Sequence, residues 1–148
     1  MSDGLRPSES CESVRLLKGL ENYKTYYNQE QQCLEHFRFP QQFLRPTKKA
    51  FVSYITLDNL QPITLLGSKT HTLTAISSAC KRRKIPCNFH LTRKIFASWL
   101  IKSGIDPTTV DMLQGRCPSS VLAQHYQAPD SQLRNRVLDA VDKLEKLM

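Results

Sequence analysis

Apolar positions along this chain recur at helical spacing in some stretches and alternate in others, and the two rhythms divide it into elements. Val14, Leu16, Leu17 and Leu20 fit a helix over residues 8–21, with Ser8 suited to its N-cap and Pro7 to its first turn or the approach to it. Residues 22–32 are polar and tyrosine-rich without clear periodicity. Cys33-Leu34-Glu35-His36-Phe37-Arg38-Phe39 alternates and reads as a strand ended by Pro40, and residues 41–47 are turn-prone. Ala50-Phe51-Val52-Ser53-Tyr54-Ile55-Thr56 reads as the second strand of an antiparallel hairpin, with Arg45, Lys48 and Lys49 near the tip. Residues 57–67, with Pro62 and Gly67, read as a loop. A helix starting at Ser68 or Thr70 and running to about Lys84 would bury Leu73, Ile76, Ala79 and Cys80, with Pro86 as its stop.

The next helix runs from about His90 to Lys102, with Ile95, Phe96, Trp99 and Leu100 on its core face and Gly104 closing it. Asp106-Pro107 opens a short helix with Val110, Met112 and Leu113 inward, ended by Gly115. Another begins at Pro118 and carries Val121, Leu122 and finally Tyr126. From Asp130 a last helix carries a stripe of Leu133, Val137, Val141 and Leu144, widened by Leu138 and Leu147. That stripe suits packing on its own domain or docking onto a second copy. The pattern predicts an α+β fold, mostly helical, with a small antiparallel β-hairpin or sheet packed beside the helices.

Composition narrows the partner. A chain of 148 residues with 40% apolar content builds one domain with a sizeable core. Its 21 Lys and Arg outnumber 13 Asp and Glu, for a net charge of +8, which favours an anionic partner, nucleic acid first. Five cysteines form an odd set without repeated spacing, and neither a secretory signal nor a long apolar run accompanies them. A cytoplasmic, nucleoid-associated protein with reduced thiols is the expectation. Cys87-x-x-His90 lacks the second close pair that a four-ligand structural metal site requires, so no metal is expected.

Chemistry concentrates between residues 88 and 126. His90 and Arg93 share one face near a helix start, where backbone N–H groups and the dipole also favour an anion. Leu113-Gln114-Gly115-Arg116 adds a second guanidinium on a turn, and Tyr126 follows. Planar, permanently charged donors match phosphate oxygens, and a phenol with an ordinary pKa near ~10 needs its developing charge stabilised before it attacks phosphorus. Lys81-Arg82-Arg83-Lys84 forms a basic run at a helix end, fitting both the helix dipole and non-specific phosphate contact.

Taken in order, the boxes Asp3-Gly4-Leu5-Arg6-Pro7-Ser8-Glu9, His90-Leu91-Thr92-Arg93, Leu113-Gln114-Gly115-Arg116 and Tyr126 resemble the catalytic domain of tyrosine recombinases, especially the integrases of archaeal viruses and plasmids. The resemblance implies a tyrosine-recombinase-like catalytic domain spanning residues 1–148, cut down and without the DNA-clamping domain that precedes it in that family. It implies site-specific recombination and integration through a 3′-phosphotyrosyl intermediate. Tyr126 would be the nucleophile and Arg6, Arg93 and Arg116 the cations, with Arg116 standing where bacterial members carry His. His90 would assist with hydrogen bonding or proton transfer. Lys48 or Lys49 would be the general acid in the hairpin, with Arg45 a third candidate. Glu9 would orient Arg6 by a charge-assisted hydrogen bond. Arg45, Lys81, Arg82, Arg83 and Lys84 would contact DNA. His125 reads as a neighbour of the nucleophile, because Arg116 already fills the third cation position.

Such chemistry needs neither metal nor nucleotide, since the covalent intermediate conserves the bond energy. The implied partners are double-stranded DNA and further copies of the chain, as dimer or tetramer, with no membrane. Two other readings stand beside this one: a type IB-topoisomerase-like nicking-closing activity, and a catalytically silent DNA-binding remnant of a split integrase. A helical protein-interaction domain would show no salt-dependent DNA affinity at all.

Overall fold

A small sheet with both faces covered by helices organises the molecule. The computed structural model describes residues 4–46, 48–64, 72–86, 88–116 and 131–147. Its elements are α1 Pro7–Lys18, α2 Leu20–Tyr26, β1 Tyr27–Asn28, β2 Cys33–Glu35, α3 Pro40–Phe43, β3 Leu44–Arg45, β4 Lys48–Lys49, β5 Val52–Tyr54, α4 Leu57–Thr64, α5 Leu73–Arg82, α6 Phe89–Lys102 and α7 Pro107–Leu113. The last is α8, Ser131–Glu145. The class is α+β, mostly helical with a small antiparallel sheet.

Strand order is β1-β2-β5, all antiparallel, with Tyr27 opposite Leu34 and Cys33, Leu34 and Glu35 opposite Tyr54, Ser53 and Val52. Successive strand residues point to opposite faces, so β2 serves two cores at once. Cys33 and Tyr54 join Phe96, Leu100, Ile105, Val110, Leu113, Val137, Ala140 and Val141 on the α6–α7–α8 side. Leu34 joins Leu16, Leu17, Tyr26, Tyr27, Phe43, Ile55, Leu60 and Ile63 on the α1–α2–α4 side. Burial pushes the Cys33 thiol up to about 12, with the Glu35 charge adding to it, so this cysteine stays a protonated core residue.

The expected antiparallel pairing of the 33–39 and 50–56 stretches is present only between residues 33–35 and 52–54, and the long hairpin is not. The alternation beyond Glu35 is broken by a 3-10 turn, His36–Arg38, and by the short helix α3, which starts at Pro40 where proline suits the first turn. The basic residues therefore lie on a separate hairpin, with Leu44 opposite Lys49 and Arg45 opposite Lys48. Residues 22–32, without a period to read, hold the end of α2 and strand β1, where Tyr26 and Tyr27 are buried. The expected single helix over 8–21 is two: α1 stops at Gly19, which is extended at φ −82° and ψ 113°, and α2 follows. Residue 7 rather than 8 opens α1, with Arg6 rather than Ser8 at the cap position.

Residues 57–64 are helical, not a loop, and Pro62 lies inside α4. Packing of Leu60 and Ile63 on the core outweighs the proline penalty near the helix end. Helix α5 starts at Leu73 with the Thr72 hydroxyl accepting from the Ala75 N–H at 3.2 Å; Ser68 and Thr70 lie outside the described residues. None of its side chains is fully buried: Ile76, Ala79 and Cys80 are half-buried, and Leu73 is exposed. On α6, Phe96 and Leu100 are buried as expected, and the Trp99 indole donates to the Ala140 carbonyl at 2.6 Å, but Ile95 faces outward. Helix α8 lays Val137, Ala140, Val141 and Leu144 on its own domain, with Leu133 and Leu138 half-buried and Leu147 exposed. The Asn59 amide ties α8 to α4 by donating to Glu145 at 2.6 Å. Among the described residues, no helix is long and apolar enough to cross a membrane.

Candidate active site

Arg6 enters the fold as the residue capping α1. Its backbone N–H donates to Glu9 Oε2 at 3.0 Å and its guanidinium to Glu9 Oε1 at 2.5 Å. The Glu9 side chain is 1% exposed and that of Arg6 17%, so the pair is shielded from water where charge-assisted bonds are strongest. Two residues earlier, Gly4 has φ +68°, and a Cβ there would stand 2.5 Å from a Phe96 ring carbon and 3.4 Å from Gln114 Cγ. Only glycine permits both that backbone and that approach. The first box is thereby pressed against the helix carrying His90 and Arg93 and against the third box.

Asn88 caps α6 by accepting from the Leu91 N–H at 3.0 Å, which leaves His90 exposed in the first turn and Arg93 half-buried one turn on. Arg93 and Gln114 hold each other reciprocally. The Arg93 guanidinium donates to the Gln114 carbonyl at 3.0 Å, and the Gln114 side-chain amide donates to the Arg93 carbonyl at 2.8 Å. Gln114 is 1% exposed.

Asp106 caps α7 by accepting from the N–H groups of Thr108 and Thr109, and the Thr109 hydroxyl, with those backbone donors, lowers its carboxyl pKa. Val110 and Leu113 of α7 are buried and Met112 is half-buried. The helix ends with Gly115 left-handed at φ +68°, the Gly115 N–H donating to Met112 and the Arg116 N–H to Asp111 at 2.7 Å. A Cβ on Gly115 would stand 3.1 Å from the Ala50 nitrogen, because the Lys49 N–H donates to the Gly115 carbonyl at 3.2 Å. Lys49, half-buried, and Arg116 are therefore anchored at one glycine. The Arg116 side chain is 58% exposed and meets Asp111 at 3.4 Å, a loose surface pair. Arg45 is exposed on β3, and the side chain of Lys48 lies outside the described set.

Backbone segments bearing Arg6, Arg93, Lys49 and Arg116 thus converge on Gln114 and Gly115, while His90 sits one turn from Arg93. Lys81, Arg82, Arg83 and Lys84 are exposed at the end of α5, where Lys84 is left-handed at φ 54° and the Ile85 N–H donates back to Cys80 at 2.9 Å. Tyr126, His125, Cys87 and Cys117, and the predicted short helix from Pro118, lie outside the described residues.

The sequence pattern of archaeal phage integrases matches residues 10–133, most of the chain. This chain belongs to that family. Membership carries a role in phage DNA integration and recombination, with DNA as the partner. The match takes in the His90, Arg93, Arg116 and Tyr126 positions and begins just after the Arg6 box. Neither the curated proteins nor the solved structures contain a match to the chain.

Two features of the site were not read from the sequence. Gln114 stands inside the third box, where the sequence gives it no role of its own; a buried amide between a turn glycine and a helix is visible only once the helices pack. The second is a buried polar chain behind Glu9. The Ser13 hydroxyl donates to the Glu9 carbonyl at 3.0 Å, the Tyr26 hydroxyl to Ser13 at 2.7 Å, and the His36 ring lies 2.8 Å from both the Tyr26 and the Ser53 oxygens. His36 is fully buried, and burial lowers its pKa to about 3, so its ring is neutral.

Proposed function

We propose that this integrase cleaves and rejoins DNA as a tyrosine recombinase, with Tyr126 as nucleophile. The observation supporting this most directly is the convergence of three separately encoded boxes and the hairpin on Gln114 and Gly115. In the proposed reaction the Tyr126 phenol oxygen attacks the scissile phosphorus and gives up its proton to His90 or to water. The bond to the 5′ oxygen breaks, leaving a 3′-phosphotyrosyl link, and Lys49 or Lys48 protonates the departing oxygen. Attack by a free 5′-hydroxyl reverses the step, so no external energy source is required. Arg6, Arg93 and Arg116 neutralise the charge that builds on the phosphoryl oxygens. Removal of one such preorganised donor typically costs on the order of 100-fold in rate.

A nicked suicide duplex traps the covalent adduct and tests the proposal. Wild type should form a protein–DNA adduct that Tyr126→Phe does not form, while both bind the duplex equally. Should wild type form none, the chain is left with DNA binding alone and the strand-transfer assignment is wrong.

A further inference from the structure

We propose that Gln114 is a positioning residue for Arg93, an inference that rests on the strand-transfer reading and adds to it a residue outside the set of cations and nucleophile. The two residues are twenty-one apart in sequence, yet each donates from its side chain to the main-chain carbonyl of the other, at 3.0 and 2.8 Å. Such a closed pair fixes one segment's direction relative to the other, which a single bond does not. Half of it is sealed: Gln114 is 1% exposed, and its Cγ lies 3.4 Å from where a Cβ on Gly4 would stand. A buried amide carries a desolvation cost that an apolar side chain of the same length would avoid. Its Oε1 has no hydrogen-bond partner among the described residues, so the side chain does not sit there for complete satisfaction of its own polar atoms. What the amide supplies is the bond to the Arg93 carbonyl.

The residues on either side explain why this position matters. Gly4, where an added Cβ would meet the Gln114 side chain, lies two residues before Arg6; the carbonyl of Gly115, the residue after Gln114, accepts the Lys49 N–H. A shift of the Gln114 main chain would therefore move the carbonyl that holds the Arg93 guanidinium. Misplacement of a catalytic group by about 1 Å can cost ~100-fold in rate without loss of binding.

The test is a double-mutant cycle on adduct formation. Gln114→Met keeps length and volume, so the packing beside Gly4 survives. Its adduct-forming rate should fall at least ~10-fold with duplex affinity unchanged. In an Arg93→Ala background the same substitution should cost nothing further, because its effect passes through Arg93. An equal fold-loss in both backgrounds, or an unchanged rate, overturns the proposal. A readout independent of activity is the nitrogen-15 NMR spectrum of the Arg93 guanidinium in wild type. Slowed exchange and distinct Nη signals are expected in wild type and averaged signals in Gln114→Met; averaged signals in wild type sink the positioning role even if adducts form. If instead wild type shows the held guanidinium but no adduct, the clasp stands and the strand-transfer reading fails.

Discussion

Arg6 and the run Lys81-Arg82-Arg83-Lys84 are cations of opposite kinds. Arg6 is 17% exposed, bonded at 2.5 Å to a carboxylate that is itself 1% exposed, and Arg93 is held comparably by Gln114. The run projects into solvent from the end of a helix with no buried side chain. Attraction of a polyanion needs charge but little geometry, whereas stabilisation of one reacting phosphoryl group needs donors fixed in advance. Holding a cation still requires a buried partner, and a buried partner makes the cation part of the fold. Arg6→Ala should therefore destabilise the protein by ~3–5 kcal/mol, since it strands the Glu9 carboxylate in the interior. Urea unfolding measures this, and replacing Glu9 by Leu in the same chain should recover most of the loss. A cost below about 1 kcal/mol for Arg6→Ala would place the pair among ordinary surface salt bridges and erase the contrast.

The held side of the comparison is backed by the chain Glu9–Ser13–Tyr26–His36–Ser53, which makes it sensitive to pH. An unfolded imidazole takes up a proton below about pH 6.5, whereas burial keeps the folded His36 neutral down to about 3. Its contribution is complete above pH 6.5 and declines as the pH falls, with the loss continuing to about pH 3. Over the upper part of that window, before most carboxylates titrate, one proton difference corresponds to ~1.4 kcal/mol per pH unit, or about 2 kcal/mol by pH 5. Unfolding midpoints measured from pH 7 to 5 should slope for wild type and flatten for His36→Gln. Equal slopes would show that the buried ring is not what titrates.

How far the fold could be read from the sequence follows the same division. Helix α6 with its Gly104 stop, α7 with its Asp106-Pro107 start and Gly115 stop, and the stripe of α8 were legible because local signals and tertiary packing agree there. The reading failed where packing overrides the local signal. Pro62 suggests a loop, yet Leu60 and Ile63 draw residues 57–64 into a helix. The tyrosines of residues 22–32 show no period because they straddle the junction of α2 and β1, and Tyr26 and Tyr27 are buried by neighbours distant in sequence. Alternation after Glu35 is genuine in the letters, but His36 turns inward to meet Tyr26 and Ser53, ending the strand. The candidate cations could be listed from the four boxes and the family that those boxes resemble. What holds them could not, because a buried Gln and a glycine pressed on a phenyl ring have no signature in one dimension.

The exposed run offers the smallest effect on stability. Arg82→Gln/Arg83→Gln removes two charges beyond the last buried layer, so it should change the unfolding free energy by no more than about 1 kcal/mol, the scale of a helix-dipole contribution. Duplex affinity responds differently. Each phosphate contact releases counterions and contributes about 0.9 to the slope of log affinity against log salt, so losing two should flatten that slope by about 1.8. Titrating wild type and the double variant over a salt series gives both slopes. An unchanged slope would take this run off the DNA and leave its charges to the helix end alone. A stability loss well above 1 kcal/mol would show that these cations, like Arg6, are held by the fold after all.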